Sequence, residues 1–311
     1  MTATGNSPRS RPAEAGPTQP AAVAPPPRSV ADSTTRWWAR HRINLWHLLL
    51  VPLCALWVYP FVWVVSASFK SQREMLLGGL SIIPDKPTLD NFVRAWNVAR
   101  FGEYTINTVT FSVAVVILVL LVSATAGYAL GRGNVPGRKV IVGVLVATMF
   151  IPHGYTIIPV FELITSLGLS KGLIGAVLAQ AGPTHVIQIL LFMGYFAGIP
   201  QELEDAAQID GAGFWRTFWS VMLPLSRPVL GSVTLFVFIS AWNAFFVPLV
   251  FTLGDTRLRT LGVGMYSFYG QYTTDWTGLA AGAFISLIPI IIVFVCLQKT
   301  FVEGLAGAVK S

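Results

Sequence analysis

The chain has 311 residues, 54% of them hydrophobic and 11% charged, with a formal net charge of +7 and a mean hydropathy of +0.64. Soluble domains carry about 25% charged residues, so this composition excludes an ordinary soluble domain and points to a membrane protein. The positive balance does not indicate nucleic acid: the Lys and Arg residues form no patch with interleaved aromatics, and they fit the flanks of membrane spans instead.

Residues 1–35 are rich in Pro, Ala, Ser and Thr. They hold too little apolar surface to offset their ordering entropy, which predicts a disordered tail; with the basic flank that follows, it makes a segment 1–44. The first long apolar run begins near Leu45 and is too long for the core of a secretory signal, so it is expected to stay in the membrane. Six stretches suffice to cross about 30 Å of hydrocarbon as helices, near 45–67, 106–130, 139–160, 173–197, 229–252 and 278–300. The predicted fold class is all-α, a polytopic six-span unit over 45–311. Pro52, Pro60, Pro152, Pro183 and Pro289 lie within or near the ends of these spans and predict kinks.

Placing the N-terminus in the cytoplasm puts thirteen of the 21 Lys and Arg residues on inner segments and eight on outer ones. That bias favours both termini inside, although Lys70 and Arg73 argue the other way. The short segment RGNVPGRK, with three cations and no acid, votes most clearly for the inner side. The outer loop 70–105 contains IIPDKPTLDNFVRAW, where Phe92, Val93 and Trp96 form an apolar helical face suited to lying on the bilayer. In the loop 253–277, Tyr and Trp residues fit the interfacial belt. Glycines spaced for close helix contact occur at Gly127/Gly131, Gly194/Gly198 and Gly278/Gly282.

The longest amphipathic segment runs from Pro200 to Pro228. Pro200 suits the first turn of a helix, and Glu202, Glu204 and Asp205 follow where the macrodipole favours acids. Ala206 and Ala207 are strong helix formers. Asp210-Gly211 breaks the pattern, and Phe214, Phe218, Val221 and Leu225 then recur at helical spacing until Pro224 and Pro228 end or kink the run. The prediction is a short helix, a turn that glycine permits, and a second helix against the membrane. By composition alone, an ordinary connector between spans would read the same way.

No GxxxxGK[ST] phosphate loop is present, so the chain is not expected to hydrolyse ATP. The four His residues show no metal-binding spacing, Cys54 and Cys296 form no CxxC pair, and there is no GxSxG. Polar groups do occur inside or near the spans: Gln180, His185 and Gln188 in the fourth, Trp242 and Asn243 in the fifth. Such groups face a bundle interior or a cavity, where they would suit a hydroxyl-rich solute. Interhelical hydrogen bonding, about 1 kcal/mol each, is the plainer account of any one of them.

The loop also carries a motif. Asp205-Ala206-Ala207, then Gly211, then Val221, Leu223 and Pro224 resemble, at the same spacing, the cytoplasmic loop of bacterial ABC importer permeases. Asp205 replaces the family's Glu and Val221 its Ile, keeping charge and apolar character. PTLDNFVRAW, FELITSLGLSKGLIGAVLAQ, RTLGVGM and the terminal FVEGLAGAVKS look like the carbohydrate, maltose-transporter-like branch, so that the likeness covers about 45–311.

The resemblance implies a permease subunit in the bacterial plasma membrane that forms part of a path for a sugar or oligosaccharide. Its implied partners are a second permease, two ATPase subunits that carry ATP and Mg, and an extracytoplasmic sugar-binding protein. No cofactor is implied on this chain. The loop 198–228 would dock the ATPase through Glu204, Asp205, Ala206, Ala207, Asp210, Gly211, Leu223 and Pro224. The family's tail reaches into the ATPase dimer, which gives Ser311 and its neighbours a role, though a Thr of that tail is missing here. Two alternatives stay open: a permease of this family for another solute, and an ion-coupled secondary transporter. The second usually needs acids at span centres, and these have none.

Overall fold

The computed structural model describes residue 2 and residues 31–309 apart from 171, 183–184 and 271–272; side chains are described from residue 46 to residue 299 apart from these and His153. Regular structure among the described residues is helical, and the one β contact is an isolated bridge between Tyr269 and Thr274. The helices, in order, are α1 (Ala31–Ala67), α2 (Gln72–Leu77), α3 (Asp90–Val93), α4 (Phe101–Arg132), α5 (Arg138–Thr148), α6 (His153–Ser166), α7 (Leu173–Ala181) and α8 (Val186–Ala197). After them come α9 (Glu202–Ile209), α10 (Phe214–Thr217), α11 (Leu223–Leu225), α12 (Arg227–Trp242), α13 (Phe246–Thr252), α14 (Leu261–Gly264) and α15 (Trp276–Val309). A π-type turn, Phe218–Met222, joins α10 to α11.

Packing divides the chain between Val58 and Tyr59. In the first unit α1 is helical from Ala31, so residues 31–35, expected within the disordered tail, and the basic flank 36–44 are part of the helix. No proline separates Pro27 from Pro52, and nothing between them stops the helix of the apolar run from extending backwards. The remainder of that expectation, residues 1 and 3–30, lies outside the described residues, as do Lys310 and Ser311 of the tail motif.

Among the described residues three helical stretches are each long and apolar enough to cross a membrane: Trp46–Ala67, Phe101–Arg132 and Trp276–Lys299. Two pairs pass only together, Leu173–Ala181 with Val186–Ala197, bent by 55°, and Phe214–Leu225 with Arg227–Trp242, bent by 78°. The stretches expected as single helices at 139–160, 173–197 and 229–252 are therefore each broken. Between α5 and α6, Pro152 is extended at φ −63°, ψ 125°. Between α7 and α8 lies the Gly182-Pro183 pair, a strong helix breaker. After α12, the Asn243 side-chain amide donates back to Ile239 O at 2.9 Å, local bonding that ends a helix. At the 78° bend Pro228 has no N–H to give the preceding turn, and Ser226 caps it by donating to Leu223 O at 2.7 Å.

The second unit is built around α4, which packs on α7 and α8 and also on α12; α12 packs in turn on α15. Phe111, Val115 and Val119 of α4 recur every fourth residue and are buried. At Gly127 a Cβ would lie 2.5 Å from Phe192 Cβ and 2.9 Å from Met193 N, so the Gly127/Gly131 spacing is a close contact between α4 and α8. Gly194 has no such neighbour within 4 Å, and Gly278 and Gly282 are instead clasped by Phe268 and Phe101.

At the start of α4 the two long loops are tied together. Buried Asn91 donates to Ser68 O and Lys70 O, both at 2.8 Å. Arg94 pairs with Asp275 at 3.1 Å, and Gln72 donates to Thr274 O at 2.7 Å. Phe92 packs against Phe69 and Phe284, so the segment predicted to lie on the bilayer is fastened to the turn after α1 and to α15, with Val93 and Trp96 left exposed.

Candidate functional site

At the other end of α4 lies the Pro200–Pro228 segment. Gly211 has φ +77°. Its N–H donates to Gln208 O at 2.9 Å and that of Ala212 to Ala207 O at 2.9 Å, a Schellman closure of α9 that needs a left-handed residue at this point. The helix, turn and second helix read from the sequence are all present.

The two faces of α9 differ. Glu204 is 5% exposed and Ala207 is also buried, both against the chain's own helices. Asp205, Ala206, Asp210 and Gly211 are exposed, as is Pro224, while Leu223 is half-buried. Ile209 is 87% exposed, and Trp215 and Trp219 of the following arm are exposed as well. This outward face is therefore apolar at its centre and acidic at Asp205 and Asp210, a combination suited to a protein partner.

The inward face is held by residues that sequence reasoning left out. Arg132, counted only as a flanking cation, has its guanidinium 3.9 Å from the Glu204 carboxylate, both side chains being almost fully covered. Tyr128, one turn earlier, stacks on Phe214 at 4.6 Å and Phe218 at 5.1 Å and meets Phe196 edge-on at 5.5 Å. The Tyr128 hydroxyl also feels the Glu204 charge. The one signal available in sequence was the spacing of Tyr128 and Arg132, which puts them on one helix face.

The polar residues of the spans fall into two groups. Gln180, His185 and Gln188 come together in a cleft of about 480 Å³ that Thr156, Ser240 and Phe246 also line. His185 is buried, with Nε2 3.0 Å from Gln180 O, and the buried Gln188 Oε1 accepts no hydrogen bond among the described residues. Trp242 and Asn243 line a separate cavity with Phe61, Met265 and Ser286. Trp242 is 3% exposed, stacks on Phe238 and donates to Ser286 O at 3.1 Å. The structure thus joins the first three and leaves the last two apart.

In the loop 253–277 Arg257 donates to both carboxylate oxygens of Asp255, at 3.1 and 2.9 Å, and holds that carboxyl below its usual range. Among the described residues no cluster of His, Cys, Asp and Glu could hold a metal ion.

Comparison with known proteins agrees with this architecture. The family described as "Binding-protein-dependent transport system inner membrane component" matches residues 123–306. The chain is 32% identical over 284 residues to the diacetylchitobiose uptake system permease protein of Streptomyces coelicolor, covering 91% of each. It is 33% identical over 258 residues to the arabinooligosaccharides transport system permease protein of Halalkalibacterium halodurans, covering 81% of this chain and 91% of that one. Its structure is similar to one chain of a bacterial ABC transporter involved in the import of the acidic polysaccharide alginate, at 26% identity and a TM-score of 0.74, covering 89% of this chain and 100% of that one.

Proposed function

The chain belongs to the binding-protein-dependent transport system inner membrane components, and we propose that it forms one half of the path through which an importer takes up a neutral sugar or oligosaccharide. It is a permease subunit and not an enzyme; ATP and Mg act on a separate ATPase. Relatives that carry diacetylchitobiose and arabinooligosaccharides support the sugar class.

The cleft carries the proposal further. Gln180, Gln188, Thr156 and Ser240 offer amides and hydroxyls, Phe246 offers a ring face, and among the described residues the lining contains no Lys, Arg, Asp or Glu. Such groups match sugar hydroxyls, and they give a carboxylate-bearing sugar no cation to pair with. Trp242, being packed and bonded to Ser286, takes a structural role in this reading; Asn243 ends α12.

In this reading the chain makes six crossings, through α1, α4, α5 with α6, α7 with α8, α12 with α13, and α15. Both termini and α9 lie in the cytoplasm, in keeping with the charge bias. The outward face of α9, with Asp205, Ala206, Asp210 and Gly211, docks an ATPase subunit, and Leu223 and Pro224 set the bend that follows. A second permease completes the path, and an extracytoplasmic binding protein delivers the sugar to the loops around Arg94 and Asp275.

The test is uptake of labelled neutral and uronic-acid oligosaccharides by the assembled transporter. Neutral sugars are expected to be taken up in preference, and Gln188→Leu to raise the half-saturating concentration about tenfold, the size of one or two lost hydrogen bonds. Preference for the acidic sugars would reject the substrate class. Uptake that persists without any ATPase subunit would instead indicate an ion-coupled carrier.

A further inference from the structure

Arg132, at the last turn of α4, joins three elements. Its Nε donates to Phe196 O on α8 at 2.7 Å, and its Nη2 donates to Ile199 O just beyond that helix. Its Nη1 donates to Gln201 Oε1 at 2.6 Å and lies 3.9 Å from Glu204 Oε2 on α9. We propose that Arg132 is a positioning residue that fastens α9 and the α10–α11 rod to α4 and α8, so that force applied to the outer face of α9 moves the transmembrane helices as one body. This inference rests on the coupling role of α9 proposed above.

Three observations carry it. First, Glu204 is buried, its Oε1 accepts no hydrogen bond among the described residues, and the groups that face its charge are the Tyr128 hydroxyl and Arg132. Arg132 is the cation of that set, and without it the buried carboxylate would turn towards water and take α9 with it. Second, the carbonyls that Arg132 binds lie at the C-terminal end of α8, where the helix dipole favours a cation. The planar guanidinium serves these carbonyls, Gln201 and Glu204 at once, which the single ammonium of Lys would not. Third, Tyr128, one turn away, is stacked between Phe214 and Phe218. The charged contact and the aromatic one therefore hold both arms of the loop to the same turn of α4.

The experiment uses the assembled transporter with spin labels at Val122 and Gln208, exposed positions on α4 and α9, in a background where the exposed Cys54 and Cys296 are Ser. In the parent protein the label distance should be narrowly distributed and should not change when ATP binds. Arg132→Ala should broaden it, and should cut uptake about tenfold while ATP hydrolysis stays near the parent rate, as expected when coupling between sites is lost. Arg132→Lys should rescue only part of the loss. Should Arg132→Ala reduce assembly, the isosteric Glu204→Gln decides by the same readouts. A narrow distribution in both variants, or a broad one with unimpaired uptake, overturns the proposal. If the parent chain never associates with an ATPase subunit, the coupling role of α9 falls, whereas the label distances still decide whether Arg132 fixes the loop.

Discussion

Gly211 has φ +77°, and a Cβ built there meets nothing within 4 Å, so a side chain at this position costs backbone strain alone. That strain is about 1–2 kcal/mol for Ala and about 1–3 kcal/mol for a β-branched residue. Gly211→Val is therefore expected to leave membrane insertion and protein level near normal, to weaken co-purification of the ATPase subunit and to stop uptake, with Gly211→Ala intermediate. Full uptake in the Val variant would make the turn irrelevant to coupling. Neighbouring acids should behave differently from each other. Asp205→Lys reverses an exposed charge and should impair docking without loss of protein. Glu204→Lys places a buried cation against Arg132 and should lower the protein level itself, read by immunoblot of membranes. The motif in the sequence names both residues as one contact set, because a step of one residue on a helix turns the side chain about 100° and only the packing says which of the two faces inward.

Among the elements, α4 and α8 approach most closely where Gly127 meets Phe192 and Met193. Gly127→Val would force these helices apart, at a cost of about 1–3 kcal/mol for overpacking. Its expected outcome is a lower thermal midpoint of the purified protein, whereas Gly194→Val, with open space around it, should leave the midpoint unchanged. Equal shifts in both would show that the α4–α8 contact contributes nothing special. The sequence identified these glycines but could not rank them, since spacing reveals a face and not its neighbour. The same holds for whole helices. The runs that became α1, α4 and α15 were legible because a long apolar stretch leaves little else to form. The breaks near Pro152 and Pro183 were marked only as places for kinks, because a proline in a membrane helix bends it or ends it according to what packs nearby, and the break after Asn243 was not marked at all. Gln180, His185 and Gln188 were legible as a group from their nearness in the chain. The pairing of Arg132 with Glu204 was not, for it depends on two helices brought together by the fold.

For the molecule as a whole, α4 sets the geometry. It has 32 residues, about 48 Å at 1.5 Å each, against a hydrocarbon thickness of about 30 Å. The Arg94–Asp275 network lies at the start of this helix and the α9 turn at its end, held by Arg132. In the proposed topology, where α4 crosses, the two lie on opposite sides of the membrane, whatever the number of crossings made by the broken helices. Charge supports the sides proposed above: Arg132, Arg138 and Lys139 follow one another at and after the end of α4 without an intervening acid, and the positive-inside bias favours the cytoplasm for such segments. A reporter active only in the cytoplasm should thus work when inserted after Gly211, and one active only outside should work near Asp85, with no exchange between them. Reports from one side for both positions would mean that α4 does not span. A clean reversal would leave α4 spanning but would put α9 outside, out of reach of any ATPase, and the coupling role of Asp205 and Gly211 would fall with it.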